Sequence, residues 1–144
     1  MYETLLPQGF HDVPFKTLRE YLTGKFVKPF RNSARRELLL ENLFKLLKEI
    51  ELSSGTDVFL EMWIDGSFVT SKEEPNDIDI VIMYKAGKSV SPKLTDADKW
   101  RSQFRCDIDY FASDSYDIQT FHKQRFGEYG KGIIRVYFRE DDNE

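Results

Sequence analysis

Apolar residues recur at helical spacing most clearly in the second quarter of the chain. Leu39, Leu40, Leu43, Phe44, Leu47 and Ile50 fall three or four positions apart, which is the pattern of an amphipathic helix. Ser33 is a natural N-cap, and Ser53, Ser54 and Gly55 stop the run, so the spacing predicts the longest helix over 33–51. Its other side, with Arg35, Arg36, Glu41, Lys45 and Lys48, is expected to face solvent. Period-two alternation predicts strands over 58–64, 77–84, 104–112 and 133–138. Shorter helices are expected over 15–26 and 114–129, with a further one capped by Thr95 and running through Asp96, Asp98 and Trp100. Pro7, Gly9, Pro14, Gly24 and Pro29 make the opening segment otherwise irregular. The division that follows is an irregular segment over 1–32 packing on the core, a domain over 33–139 and a frayed acidic tail over 140–144.

Composition narrows the classes. With 144 residues, 40% hydrophobic and 32% charged, the chain has the material for one core and one domain, and is not a disordered polymer. No stretch approaches the roughly 18 apolar residues of a membrane span, and no basic, apolar, small-residue leader opens the chain. The expectation is a cytoplasmic protein without membrane contact. One cysteine, Cys106, allows no internal disulfide. His11 and His122 stand far apart with no Cys-x-x-Cys beside them, which argues against a closed zinc site. A net charge of −4 argues against wrapping nucleic acid by bulk positive charge, while leaving room for a local basic patch. Arg35, Arg36 and Lys131 are the candidates for one.

The segment with chemistry runs from Trp63 to Ile82, WIDGSFVTSKEEPNDIDIVI. Asp77 and Asp79 stand two apart on a predicted strand, sharing one face at roughly 6.6 Å, while Ile78, Ile80 and Ile82 take the other. Carboxylates so close repel unless a cation joins them, and oxygen ligands without histidine or cysteine suit Mg²⁺ or Mn²⁺. Gly66 and Ser67, at the end of the preceding strand, offer a closely approachable backbone and a hydroxyl to a phosphate. An EF-hand is excluded, because the loop glycine and terminal glutamate are missing after Asp77.

Strand, Gly-Ser, nine-residue loop and Asp-Ile-Asp together resemble the signature of the nucleotidyltransferase superfamily of DNA polymerase beta, carried here by Gly66, Ser67, Asp77 and Asp79. The likeness covers about 33–113. Leu6-Pro7-Gln8-Gly9, the run from Gly66 to Thr70 with Lys72 and Pro75, and Lys131-Gly132-Ile133-Ile134 further resemble a bacterial and phage family of small, uncharacterised nucleotidyltransferase-like proteins. The resemblance implies an α+β fold of the polymerase beta-like nucleotidyltransferase type, with a mixed or antiparallel sheet of about four strands packed against helices. It implies two Mg²⁺ ions bridging the carboxylates and a nucleoside triphosphate, with Asp77 and Asp79 as ligands and Gly66, Ser67 and Lys72 on the phosphates. It also calls for a third carboxylate on the next strand, which is Asp107 or Asp109. Antiparallel pairing with the strand that opens at Asp77, and the position of this aspartate shortly before the strand's end in the superfamily, favour Asp109.

The expected activity is a Mg²⁺-dependent transfer of a nucleoside monophosphate from an NTP to a hydroxyl of RNA (tRNA) or protein. By analogy with small members of the superfamily, its setting would be a toxin–antitoxin or anti-phage system. The alternative is a non-enzymatic nucleotide-binding or antitoxin-like interaction protein that keeps the fold. The chain is short for this superfamily. Completion of the site falls either to a partner subunit or second copy, or to the N-terminal thirty residues and the C-terminal helix.

Overall fold

A computed structural model of the chain describes residues 3–53, 57–115 and 132–138. In chain order these residues form β1 (Gly9–Asp12), a 3-10 turn (Phe15–Thr17), α1 (Leu18–Phe26), α2 (Ala34–Ser53), β2 (Phe59–Asp65), a second 3-10 turn (Gly66–Val69), β3 (Ile78–Tyr84), α3 (Pro92–Thr95), α4 (Ala97–Phe104), β4 (Cys106–Ala112) and β5 (Gly132–Tyr137). The strands make one mixed sheet in the order β1-β5-β2-β3-β4. β2 runs antiparallel to both β3 and β5, whereas β1 is parallel to β5 and β4 is parallel to β3.

This is an α+β architecture, as expected, with differences that have local causes. The sheet has five strands, because residues 9–12 of the supposedly irregular opening segment add an edge strand to β5. Gly132 permits that segment's approach, since a Cβ there would collide with the Pro7 carbonyl and Leu6. Phe104 closes α4 instead of opening β4. Arg105 adopts a left-handed conformation (φ 53°, ψ 32°) that ends the helix and turns the chain into the strand. Asp96, not Thr95, caps α4, its Oδ1 accepting from the Lys99 N–H at 3.2 Å. The helix predicted over 114–129 lies outside the described residues except for Asp114 and Ser115, which belong to a turn closed by Ser115 N–H to Ala112 O at 2.9 Å. Lys131, His122 and the acidic tail also lie outside them.

One face of the sheet meets the helices. Leu18, Leu22 and Phe26 of α1 and Leu39, Leu40, Leu43, Leu46, Leu47 and Ile50 of α2 are buried in one cluster with Met62, Ile64, Ile78, Ile80, Ile82, Ile134 and Val136. Phe44 is only partly buried and lies 4.1 Å beneath the Arg19 guanidinium.

Arg36 corrects the expected polar face of α2, for it is fully buried, with 0% exposure. Its Nη1 donates to Phe26 O (2.9 Å) and Phe68 O (2.6 Å), and its Nη2 to Thr70 O (2.8 Å) and Lys72 O (2.6 Å). The guanidinium also stacks 3.6 Å from the centroid of the Phe30 ring. Four carbonyl acceptors and an aromatic face replace the water that a guanidinium ordinarily keeps. Burial lowers its pKa to about 10, with Glu73 working in the opposite direction, so it remains a cation at neutral pH.

Replacing it should be costly. Arg36→Leu leaves three buried carbonyls and the half-buried Lys72 carbonyl without their donor, at about 1–3 kcal/mol for each buried one that finds no new partner. Urea unfolding should register a loss of about 3 kcal/mol or more. A variant as stable as the parent would contradict this account of the core.

Candidate active site

The site begins where β2 ends. Gly66 has φ +77°, a conformation that disfavours any side chain, and a Cβ placed on it would overlap the Asp79 carboxylate. Glycine is therefore required here by contact as well as by backbone angle. The chain continues into the 3-10 turn, which sends Phe68 and Val69 into the core and leaves Ser67 half-exposed. Thr70 closes the turn, donating from its N–H (3.1 Å) and its Oγ1 (2.7 Å) to Ser67 O.

The loop from there to Asp77 is held from several sides. Arg36 takes the Thr70 and Lys72 carbonyls. Arg35 Nη1 reaches Pro75 O and Asn76 Oδ1, each at 3.5 Å, and Arg105 Nη1 donates to Asn76 O at 3.2 Å. The opening segment adds Leu5 N–H to Val69 O (2.9 Å) and accepts at Glu3 O from Ser71 N–H (2.8 Å). A loop this tightly tied presents its flanking residues in a fixed relation, and those residues are Ser67 and Asp77.

Strand register assembles the carboxylates. Asp79 lies opposite Asp65 on β2 and opposite Asp107 on β4. Three aspartates thus form a row across neighbouring strands on the face turned away from α1 and α2, with adjacent Cα atoms roughly 5 Å apart. Asp65 is buried, with 2% exposure, whereas Asp79 and Asp107 are half-buried. Asp77 precedes β3 and is half-buried beside the row. Its pKa is raised above the ordinary aspartate value by burial and then by the charge of Asp107, with Arg101, Lys72 and Arg105 acting in the opposite sense. Arg101 Nη2 pairs with Asp107 Oδ1 at 2.7 Å.

The parallel pairing of β3 with β4 overturns the antiparallel pairing assumed in favouring Asp109. In parallel strands start meets start, so the earlier aspartate, Asp107, comes level with Asp79, while Asp109 comes level with Val81 and is exposed. A β-strand alternates its faces, so Asp109 shares the face of Asp107 but lies one row back. The register thus brings together Gly66, Ser67, Asp77, Asp79 and Asp107. Lys72 contributes through its charge at Asp77. Asp65, Arg101 and Arg105 are additions that sequence reasoning missed, although Asp65 continues the alternation of Glu61 and Trp63.

All the carboxylates of the row offer hard oxygen donors, which suits a divalent cation such as Mg²⁺. Among the described residues no three Asp, Glu, His or Cys side chains already stand in a metal-binding group.

The burial of Asp77, with the Asp107 charge acting in the same direction, has a pH signature. A carboxyl whose pKa is raised on folding binds its proton more tightly in the folded state. It therefore stabilises at low pH, and the contribution is lost as pH rises through the folded value. Asp77→Asn should accordingly raise the thermal midpoint at pH 7, and the gain should vanish below about pH 3.9, the ordinary aspartate value. Melting curves of both proteins across that range check it; an Asn variant less stable at pH 7 would contradict a carboxylate whose charged form is disfavoured by burial and by Asp107.

A family model matches residues 2–137, which includes every residue of the site. No curated protein and no solved structure matches the chain. The chain belongs to the family described as Family of unknown function (DUF6932).

Proposed function

We propose that this protein is a metal-dependent nucleotidyltransferase of the polymerase beta-like type, moving a nucleoside monophosphate from an NTP to a hydroxyl of RNA or protein. The observation that carries the reading is the contact of the Asp79 carboxylate with Gly66, in register with Asp107. It sets a side-chain-free stretch of backbone directly against one carboxylate that stands level with a second, and a surface strand without such a task has no need of it.

In this reading Gly66 and Ser67 receive the β- and γ-phosphates through backbone and hydroxyl, and Lys72 adds charge. Asp77, Asp79 and Asp107 would hold Mg²⁺ or Mn²⁺, which when bound neutralises phosphate charge and acidifies the acceptor hydroxyl. The acceptor oxygen bonds to the α-phosphorus, the bond from that phosphorus to the bridging oxygen breaks, and pyrophosphate leaves with it. The hydroxyl proton passes to solvent. The chain's own contribution is positional, since the tied loop holds the phosphate turn and the carboxylates at a fixed spacing before substrate arrives.

The alternative reading is a nucleotide-binding or antitoxin-like interaction protein that retains the fold. Turnover separates the two. A toxin–antitoxin or anti-phage setting rests on analogy with small superfamily members alone.

The test is incubation with each α-labelled triphosphate, Mg²⁺, total RNA and protein extract, followed by separation of labelled products. Label should move to one acceptor class in Mg²⁺ and in no sample with EDTA. Asp79→Asn and Asp107→Asn should abolish transfer, and Asp109→Asn should stay near the parent rate. An inactive Asp109→Asn beside an active Asp107→Asn would restore Asp109 as third carboxylate, while transfer surviving in Asp79→Asn would end the catalytic reading.

A further inference from the structure

Arg105 occupies a position that its residue type disfavours. It is the one non-glycine among the described residues with positive φ, at 53°, a conformation that glycine adopts without steric cost. A helix C-terminus favours cations, which accounts for Arg101 in the last turn of α4 but not for a bulky side chain in the left-handed cap. Both arginines are exposed. They lead into β4, whereas Gly66 and Ser67 follow β2, and β3 lies between these strands. The phosphate turn and the arginine pair therefore flank the carboxylate row from opposite sides. Arg101 reaches Asp107 at 2.7 Å, and Arg105 anchors on Asn76 O at 3.2 Å, beside Asp77.

We propose that Arg101 and Arg105 form the seat for a phosphodiester strand whose terminal hydroxyl is the acceptor. This assignment rests on the transferase reading above, because it needs the triphosphate to lie on the Gly66 side. Its reasoning is electrostatic. A row of aspartates repels an anionic acceptor unless cations stand on the side from which it enters. Guanidinium groups match phosphate oxygens with two parallel N–H donors, and these two are exposed within five residues of one another. A protein acceptor would not call for paired guanidinium groups at the rim.

The experiment is fluorescence anisotropy of a 5′-labelled single-stranded oligoribonucleotide with the full chain, in Mg²⁺ and without triphosphate. Binding should weaken with salt at a log–log slope of about −1.4, or −0.7 for each of two neutralised phosphates. Arg101→Gln with Arg105→Gly should lower affinity about tenfold or more and flatten that slope. Arg105→Gly alone should weaken binding while its thermal midpoint stays level or rises, since glycine fits the left-handed cap; a purely structural arginine would give the opposite pattern. Titration with Mg·ATP should show the double variant losing far less triphosphate affinity than oligonucleotide affinity, since Arg101 bears on the triphosphate side only through its pairing with Asp107.

Absence of oligonucleotide binding by the parent overturns the seat, as does a double variant that binds like the parent. Equal loss of ATP and oligonucleotide binding in the double variant would move the arginines to the triphosphate and also overturn it. Label transfer to protein alone rejects it as well. An oligonucleotide bound as expected by a parent that binds no triphosphate would keep the seat and remove the transferase reading.

Discussion

Arg36 is fully buried, and its charge is answered by carbonyl oxygens from two distant parts of the chain. One acceptor, Phe26 O, ends α1, and the other three, on Phe68, Thr70 and Lys72, belong to the turn and loop beside the carboxylates. Much of the rest depends on this tie. It fixes α2 to the loop, lets Phe68 pack against Phe26 with ring centroids 5.9 Å apart, and sets where the chain re-enters the sheet at Asp77. A buried cation tolerates few alternative arrangements, since any shift leaves an unmet charge in the core. The hydrophobic cluster beneath supplies burial, and the guanidinium supplies the spacing.

Given that spacing, the close approach of Asp79 to Gly66 follows from register. β2 and β3 are antiparallel, so the last residues of one meet the first residues of the other. The backbone turning out of β2 has to pass over the first carboxylate of β3, Asp79, on the face away from α1 and α2. Only a residue without a side chain fits there. β4 then brings Asp107 level because it is parallel to β3. The acidic row is a product of the end of β2 meeting the starts of β3 and β4 at one end of the strands, with exposed arginines at its rim.

Much of this was legible in the sequence, and the misses have physical reasons. Alternation identified β2, β3, β4 and β5 to within two residues at each end, because each buries one face on the helices. β1 was missed because a four-residue edge strand carries too little alternation to stand out against Pro7, Gly9 and Pro14. Arg36 stands four residues before Leu40 and seven before Leu43, so spacing alone put it on the buried stripe of α2. Its charge argued for solvent, and only the loop folding back over it reveals the acceptors. Gly66, Ser67, Asp77 and Asp79 were legible as a motif. The choice between Asp107 and Asp109 was not, since it turns on strand direction, which a sequence pattern leaves open when helix α4 and a loop intervene.

The central claim is that the tied loop and the carboxylate row form a site for a metal-bound nucleoside triphosphate. Calorimetric titration of the full chain with each triphosphate, in Mg²⁺ and again in EDTA, tests it most directly. The account predicts saturable binding at one site per chain in Mg²⁺, none in EDTA, and none in either condition for a chain carrying Asp79→Asn. Equal affinity with and without the cation, or binding unchanged by Asp79→Asn, would contradict it.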